Sequence, residues 1–223
     1  MDRMAMRIGL EKALQSIKEK VFKLFDITKQ SICLSIRYLL EEEERSALER
    51  IKDLEKKSDI VNLDIQEECM TILVRQQPVA KDARFVIAIM EISSFFERIN
   101  DLSLEVSELH PAKIDNELSI VRDNIMWMIK RITHMIDINE EGLRTGKIVD
   151  IDKKLMELDD DIDRLFEASK NYLIEYLKKS RENVEDAVKL LYIIRHLERI
   201  GDIVAKTGSR IIYIERGRWV FIK

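Results

Sequence analysis

Two acidic pairs in this chain share one spacing and nearly the same neighbours. Glu97 and Asp101 lie in the segment FFERIND, and Glu198 and Asp202 lie in HLERIGD, 101 positions further along the chain. Residues four apart lie on one face of a helix, so each pair presents two carboxylates side by side. Carboxylate oxygens are the ligands that hard metal ions such as Mg²⁺, Ca²⁺, Mn²⁺ or iron prefer.

The first pair has an acidic counterpart on the helix that precedes it. In an antiparallel hairpin, residues equally distant from the turn lie opposite each other. A turn centred at Pro78 therefore places Glu55 opposite Asp101 and Asp59 opposite Glu97. These two counterparts are themselves four residues apart, so the hairpin predicts four carboxylates on two facing helices.

The second pair has the same kind of counterpart. A turn centred between Ser180 and Arg181 places Asp159 opposite Asp202. The same turn places Asp163 opposite Glu198. That centre falls within KKSREN, a polar segment that interrupts the apolar periodicity and is typical of a turn.

Four carboxylates in close contact raise one another's pKa unless a cation compensates their charge. We therefore predict two metal sites, each wide enough for carboxylates to bridge more than one ion. The alternative is that the acids pair with Arg98, Arg199 and nearby lysines on a solvated surface. The predicted metal ligands are Glu55, Asp59, Glu97 and Asp101 in the first half, and Asp159, Asp163, Glu198 and Asp202 in the second.

Long amphipathic helices must position these side chains. The 223 residues include only six Gly and two Pro, and apolar residues recur at spacings of three and four through nearly the whole chain. The pattern predicts an all-α protein in which Pro78 lies in the first turn of the third helix. The predicted helices span 10–40, 45–75, 78–109, 113–142, 150–179 and 182–214.

Six such helices fold most simply as two tandem antiparallel three-helix bundles. The similar acidic segments then fall at equivalent places on the third and sixth helices, as in a tandem duplication. We predict a boundary near residues 110–113, with a first repeat over 1–111 and a second repeat over 112–223. Apolar positions such as Ile125, Met128 and Ile132 are predicted to be core.

Composition excludes several classes of protein. A net charge of −4 argues against a nucleic-acid partner, because phosphate binding needs clustered Lys and Arg. No apolar run reaches the roughly 20 residues of a membrane span, and the N-terminus lacks a secretory signal. Cys33 and Cys69 are predicted to be buried, unpaired thiols, which suits a cytoplasmic protein.

The residues also carry a resemblance to a known family. RQQPVAKDARFVIAIMEISSFFERIND in the first half and IRHLERIGD in the second resemble the PhoU family of phosphate-transport regulators. The family repeat has a stretch of the form R-Q-P-x-A-x-D-x-R that leads into E-R-I-G-D. The matching residues, with one extra Gln, are Arg75, Gln77, Pro78, Ala80, Asp82 and Arg84.

The resemblance implies a function and partners that the residues alone do not indicate. Proteins of the family repress phosphate uptake and the phosphate-starvation response, and link a phosphate ABC transporter, through its ATPase, to a sensor histidine kinase. Their acidic motifs bind multinuclear metal clusters. The resemblance favours iron at the eight carboxylates named above, with Mg²⁺, Mn²⁺, Ca²⁺ and Zn²⁺ as alternatives, in a protein that is not an enzyme.

One departure from the family pattern affects the first site. Asn100 stands where the family usually has Gly, and a side chain there could narrow the approach of the neighbouring helix. We therefore expect the first site to be less complete than the second. At the equivalent place in the second half the residue is Gly201.

Two other functions compete with a metal-binding regulator. A carboxylate-bridged di-metal enzyme would use Glu-x-x-His on its helices, and none of His110, His134 and His196 completes that motif. The second competing function is a metal-independent acidic adaptor for another transport system. The apolar tail that follows Gly217 could serve it by docking to a partner or to a second copy in a homodimer, or could pack on its own bundle.

Overall fold

The computed structural model describes residues 3–40, 45–109, 111, 116–179 and 183–222. Within these ranges the chain is helical and contains no strand, which confirms the predicted all-α class. A short 3₁₀ turn, Asn116–Leu118, precedes the fourth helix. The six helices are α1 Arg3–Leu40, α2 Arg45–Gln76, α3 Ala80–Glu108, α4 Ser119–Thr145, α5 Ile151–Lys179 and α6 Val184–Arg216.

The ends of the helices differ from prediction at one informative place. Helix α3 begins at Ala80, with Val79 in an extended conformation before it, so Pro78 lies in the connection and not in the first helical turn. The chain reverses there through Gln77, whose φ is +46°. Helices α4 and α6 extend to Thr145 and Arg216, slightly beyond their predicted ends, and stop at Gly146 and Gly217, which both adopt a φ of +69°.

Helices α1, α2 and α3 form one antiparallel bundle, and α4, α5 and α6 form the other. The predicted register of the first hairpin is confirmed by Gln66, whose side-chain amide donates to the Met90 carbonyl at 2.8 Å. These two residues are equally distant from Pro78. The predicted turn residues Ser180 and Arg181, and most of the predicted boundary at 110–113, lie outside the described residues.

The two bundles join mainly through α3 and α6, which pack antiparallel to each other. Lys81 pairs with Glu215 at 2.6 Å near one end of this contact. Glu105 lies 3.6 Å from His196 toward the other end. The segments 97–101 and 198–202 are therefore level with each other, halfway along the molecule.

The hydrophobic core continues from one bundle into the other. The rings of Phe25 and Phe96 stack at 4.1 Å between α1 and α3. Ile125, Met128 and Ile132 are buried as predicted. A shared core means that each repeat buries part of its apolar surface against the other, so the repeats stabilise each other.

The two cysteines lie in different environments. Cys69 is buried as predicted, and burial raises the pKa of its thiol to about 12. The prediction that Cys33 is buried was wrong, because this residue lies on the exposed side of α1. Neither cysteine forms a disulfide. None of the helices in the described ranges has the length and apolarity that crossing a membrane requires.

The C-terminal tail packs back onto its own chain. Ile222 is 3% exposed, and its backbone N–H donates to the Ser209 hydroxyl at 3.3 Å. Trp219 stacks on Tyr213 at 4.2 Å, and the Arg210 guanidinium lies over the indole at 4.3 Å. Phe221 projects outward with 93% of its surface exposed, and Trp219 remains half exposed.

Candidate metal centre

The first acidic cluster forms where α2 faces α3. Glu55 and Asp59 on α2 and Asp101 on α3 each bring one carboxylate oxygen within 4.8 Å of the other two. A cation that coordinates oxygen at 2.0–2.6 Å can touch oxygens that are this far apart. The hairpin register places the three side chains together, as the sequence predicted.

Glu97 is the fourth member of this cluster and interacts with the other three carboxylates through its charge. Partial burial raises its pKa, and the nearby negative charges of Asp101, Asp59 and Glu55 raise it further. The pKa values of Glu55 and Asp59 are also raised, first by burial and then by Asp101 and, for Glu55, by Asp59. All four predicted side chains of the first site therefore interact.

Two observations bear on how the charge of the first cluster is balanced. Arg98 donates to Asp101 Oδ2 at 3.2 Å, so one carboxylate already has a cation. The buried Oδ1 atom of Asp59 accepts no hydrogen bond from any described residue. A buried carboxylate oxygen without a partner is costly, and it is the kind of atom that coordinates a metal.

Asn100 does not reach into this cluster. Its side chain is fully buried and donates to the Thr28 hydroxyl on α1 and to the Phe96 carbonyl, both at 2.7 Å. It therefore lies between α3 and α1, away from α2. The Asn100 side chain therefore does not stand between the ligands on α2 and α3, as we had expected that it could.

The second acidic cluster lies between α5 and α6 and is arranged differently. Asp159 is 2% exposed, and one of its oxygens lies 3.6 Å from the place that a Cβ on Gly201 would occupy. The same Cβ would be 2.9 Å from Ile162, so glycine is what lets α5 approach α6 here. The carboxylate of Asp159 is buried because this approach is close.

Glu198 is the best-defined member of the second cluster. Its Oε1 accepts a 2.7 Å hydrogen bond from Arg195, and its buried Oε2 has no partner among the described residues. Burial raises its pKa, Arg195 opposes that rise, and the charges of Asp202 and Asp163 add to it. The four predicted residues of the second site thus share one region.

The two clusters differ in compactness. Within the described residues, no second set of three acidic, His or Cys ligands meets the distance that Glu55, Asp59 and Asp101 meet. The carboxylates of the second site are therefore more dispersed than those of the first. At the position that corresponds to Arg195, the first repeat has Ser94, whose hydroxyl donates to the Met90 carbonyl instead.

The arginine that pairs with Glu198 is not the one that the sequence suggested. Arg199 was the predicted alternative partner for the acids, whereas Arg195 is the residue that reaches Glu198. The signal was present, because an Arg three residues before a Glu lies on the same helical face. His196, which contacts Glu105 of the first repeat, is only 15% exposed and is a contact between the bundles.

We predict that the first cluster destabilises the metal-free protein near neutral pH. Folding raises the pKa values of Glu55, Asp59 and Glu97 above their unfolded values, so protonation favours the folded state. Stability should therefore rise, relative to a Glu55→Gln/Asp59→Asn variant, as pH falls through these raised pKa values. Melting temperatures of both proteins in chelator, from neutral to mildly acidic pH, measure this difference. A constant difference would contradict it.

The chain matches a known domain family in both halves. The PhoU domain matches residues 21–109 and again residues 125–211. These two segments contain all eight predicted ligands. The paired match supports the tandem repeat inferred from the acidic segments.

Individual relatives and solved structures agree with this match. A phosphate-specific transport system accessory protein PhoU homolog of Archaeoglobus fulgidus is 30% identical over 213 residues, covering 96% of this chain and 98% of the relative. Its counterpart in Deinococcus radiodurans is 27% identical, covering 93% and 97%.

The fold agrees with two PhoU crystal structures. PhoU from Streptococcus pneumoniae superposes with a TM-score of 0.80 at 21% identity, over 95% of this chain and 99% of that one. PhoU from Pseudomonas aeruginosa superposes with a TM-score of 0.78 at 17% identity, over 93% and 99%. With both halves matched by the domain and nearly the whole chain aligned to curated relatives, this chain belongs to the PhoU family.

Proposed function

We propose that this protein is a metal-binding negative regulator of phosphate uptake and of the phosphate-starvation response. The family membership supports the phosphate role, since relatives that align over nearly their whole length are named as accessory proteins of phosphate-specific transport. The observation that carries the metal-binding part is the convergence of Glu55, Asp59 and Asp101 within 4.8 Å.

The residues fit a bound cation in their donor chemistry. The first cluster offers oxygen ligands only, and it includes the buried, unpartnered Oδ1 of Asp59. A cation there would neutralise carboxylates that otherwise repel one another. Glu55 and Asp59 would hold it from α2, and Glu97 and Asp101 from α3, so that the two helices are joined at mid-length.

The second cluster would hold its cation between α5 and α6. Asp159 and Asp163 would contribute from α5, and Glu198 and Asp202 from α6. An all-carboxylate ligand set suits iron, Mn²⁺ or Mg²⁺ better than Zn²⁺, which favours Cys and His. We propose iron, in multinuclear clusters, because the family resemblance favours it.

We further propose that the protein links a phosphate ABC transporter, through the transporter's cytoplasmic ATPase, to a sensor histidine kinase. The support is the family membership together with a two-repeat architecture that presents two acidic faces at the same level. In this view the protein acts by binding partners and not by catalysis. A cation bound in each cluster would join α2 to α3 and α5 to α6, so metal loading would stiffen both helix pairs.

A metal-independent adaptor is the second candidate. The Arg98–Asp101 pair at 3.2 Å and the Arg195–Glu198 pair at 2.7 Å favour it, because each gives a carboxylate a cation from the chain itself. Neither arginine, however, reaches the unpartnered oxygens Asp59 Oδ1 and Glu198 Oε2. The two candidates make opposite predictions for metal content.

Metal content should fall when ligands are neutralised and not when neighbouring acids are. We predict that Glu55→Gln/Asp59→Asn removes the first site's metal, as measured by plasma mass spectrometry after loading with iron and gel filtration. The control is Asp64→Asn/Glu67→Gln, which removes two exposed carboxylates of the same helix. Equal metal in all three proteins would contradict the first site.

Replacing Arg195 should strengthen the second site. Its guanidinium donates to Glu198 Oε1 at 2.7 Å, so a metal that binds this oxygen must displace it. We predict that Arg195→Ser, which introduces the residue of the first repeat, raises metal affinity at the second site by roughly tenfold, in line with the strength of a charge-assisted hydrogen bond. Titration in the Glu55→Gln/Asp59→Asn background isolates that site. Unchanged or weaker affinity would contradict competition by Arg195.

The regulatory role is tested in the native host. We predict that deleting the gene raises phosphate uptake and transcription from phosphate-starvation promoters in phosphate-rich medium. The wild-type gene and the Asp64→Asn/Glu67→Gln control should restore repression, whereas a variant with both metal sites neutralised should not. Normal repression in the deletion strain would contradict the phosphate role. Restoration by the doubly neutralised variant would favour the metal-independent adaptor.

A further inference from the structure

One end of the molecule gathers four segments that are far apart in sequence. They are residues 7–12 near the start of α1, the α2–α3 connection with its flanking helix ends (74–84), the α4–α5 connection with its flanking helix ends (144–154), and the end of α6 with the tail (214–222). One cleft is lined by Glu11, Asp82, Gly146 and Glu215, one residue from each segment. We call these four segments the basic end.

The basic end carries the most exposed apolar side chains of the molecule. Among the described residues, only four large apolar side chains are more than 70% exposed, and all four lie here. They are Val74 at 71%, Val79 at 74%, Val149 at 76% and Phe221 at 93%. Ile8 and Trp219 at the same end are about half exposed. Separate apolar tips therefore project from all four segments.

The same end is strongly positive within an acidic protein. Its four segments contain eleven Lys and Arg and five Asp and Glu, a net charge of +6, in a chain whose net charge is −4. The remainder of the chain therefore carries −10. Lys147, Lys154 and Arg218 are exposed beside the apolar tips. The protein thus has a large charge asymmetry from this end to the rest.

Internal contacts hold the basic end together without covering its outer surface. Arg84 donates to the Ile214 carbonyl at 3.2 Å, and Arg216 donates to the Ile148 carbonyl at 3.5 Å. Lys81, which pairs with Glu215, keeps 57% of its side chain exposed. These contacts tie the turns to the end of α6, so that the tips are presented as one surface.

From this placement we infer that the basic end binds directly to an anionic phospholipid surface. Its apolar tips insert among the lipid headgroups, and its Lys and Arg side chains contact the phosphates. Apolar side chains interspersed with basic ones are typical of binding at a membrane interface. Trp side chains are also enriched there, at the depth of the lipid headgroups. The core of an interface with a folded protein is instead depleted of charged residues such as Lys, whereas Lys147 and Lys154 are exposed beside these tips.

The charge asymmetry also sets the orientation on the membrane. An anionic surface attracts the basic end and repels the remainder of the chain, so the long helices stand away from the bilayer. Both acidic clusters, halfway along the helices, then lie above the membrane and stay accessible. This inference does not depend on metal binding or on the phosphate role, and its test can fail independently of them.

The test is sedimentation of the purified full-length protein with vesicles. We expect binding to vesicles of phosphatidylcholine with phosphatidylglycerol, weakened by added salt, and little binding to phosphatidylcholine alone. Lys147→Glu/Lys154→Glu/Arg218→Glu should weaken binding by at least roughly tenfold. Val79→Ser/Val149→Ser/Phe221→Ser should weaken it several-fold. In a Trp127→Phe background, Trp219 fluorescence should shift to the blue on binding.

Matched controls separate this end from general effects of charge and apolar surface. Arg122→Glu/Lys178→Glu/Lys179→Glu makes the same change in net charge at the opposite end. Ile60→Ser/Leu63→Ser/Met70→Ser removes apolar side chains that are 51–61% exposed on α2.

Both control proteins should bind as the wild type does. Absence of binding at low salt, or equal weakening by the controls, would overturn the inference. Binding only to membranes that contain a transporter would also overturn it and would assign the basic end to an acidic protein partner.

Discussion

The antiparallel packing of α3 against α6 determines most of what is distinctive in this structure. Each of these helices belongs to the core of its own bundle and also to the contact between bundles, so the hydrophobic core is continuous. Because the two helices run in opposite directions, the repeated acidic segments lie level with each other at mid-length. The same arrangement gathers two connections, the start of α1 and the tail at one end. The position of the acidic clusters and the charge asymmetry of the molecule therefore have one origin.

The acidic clusters place carboxylates that disfavour the folded state at the edge of the helical core. Partial burial and mutual repulsion raise the pKa values of Glu55, Asp59, Glu97 and Glu198, so the ionised forms of these groups disfavour the folded state. Such strain is expected where a ligand relieves it. The two repeats relieve it differently without metal, because Arg195 donates to Glu198 in the second repeat, whereas Ser94 stands at that position in the first repeat and Arg98 donates to Asp101.

Much of this arrangement was predictable from the sequence, because helical periodicity and hairpin symmetry are local rules. The register of α2 against α3 followed from counting outward from Pro78, and Gln66 confirms it. The exposure of Cys33 and the direction of the Asn100 side chain were not predictable, because both depend on which face of a helix meets which neighbour. The compactness of the first cluster relative to the second depends on side-chain geometry. The basic end could not be predicted from the sequence, because its four segments come together only in the folded chain.

Metal binding at the two acidic clusters is tested most directly by locating the bound ions. Crystals of the iron-loaded protein, measured on either side of the iron absorption edge, locate the ions without assuming their ligands. We expect anomalous peaks between α2 and α3, in contact with Glu55, Asp59 and Asp101, and between α5 and α6 near Glu198. Peaks elsewhere, or fully loaded crystals with none at these carboxylates, would contradict this expectation.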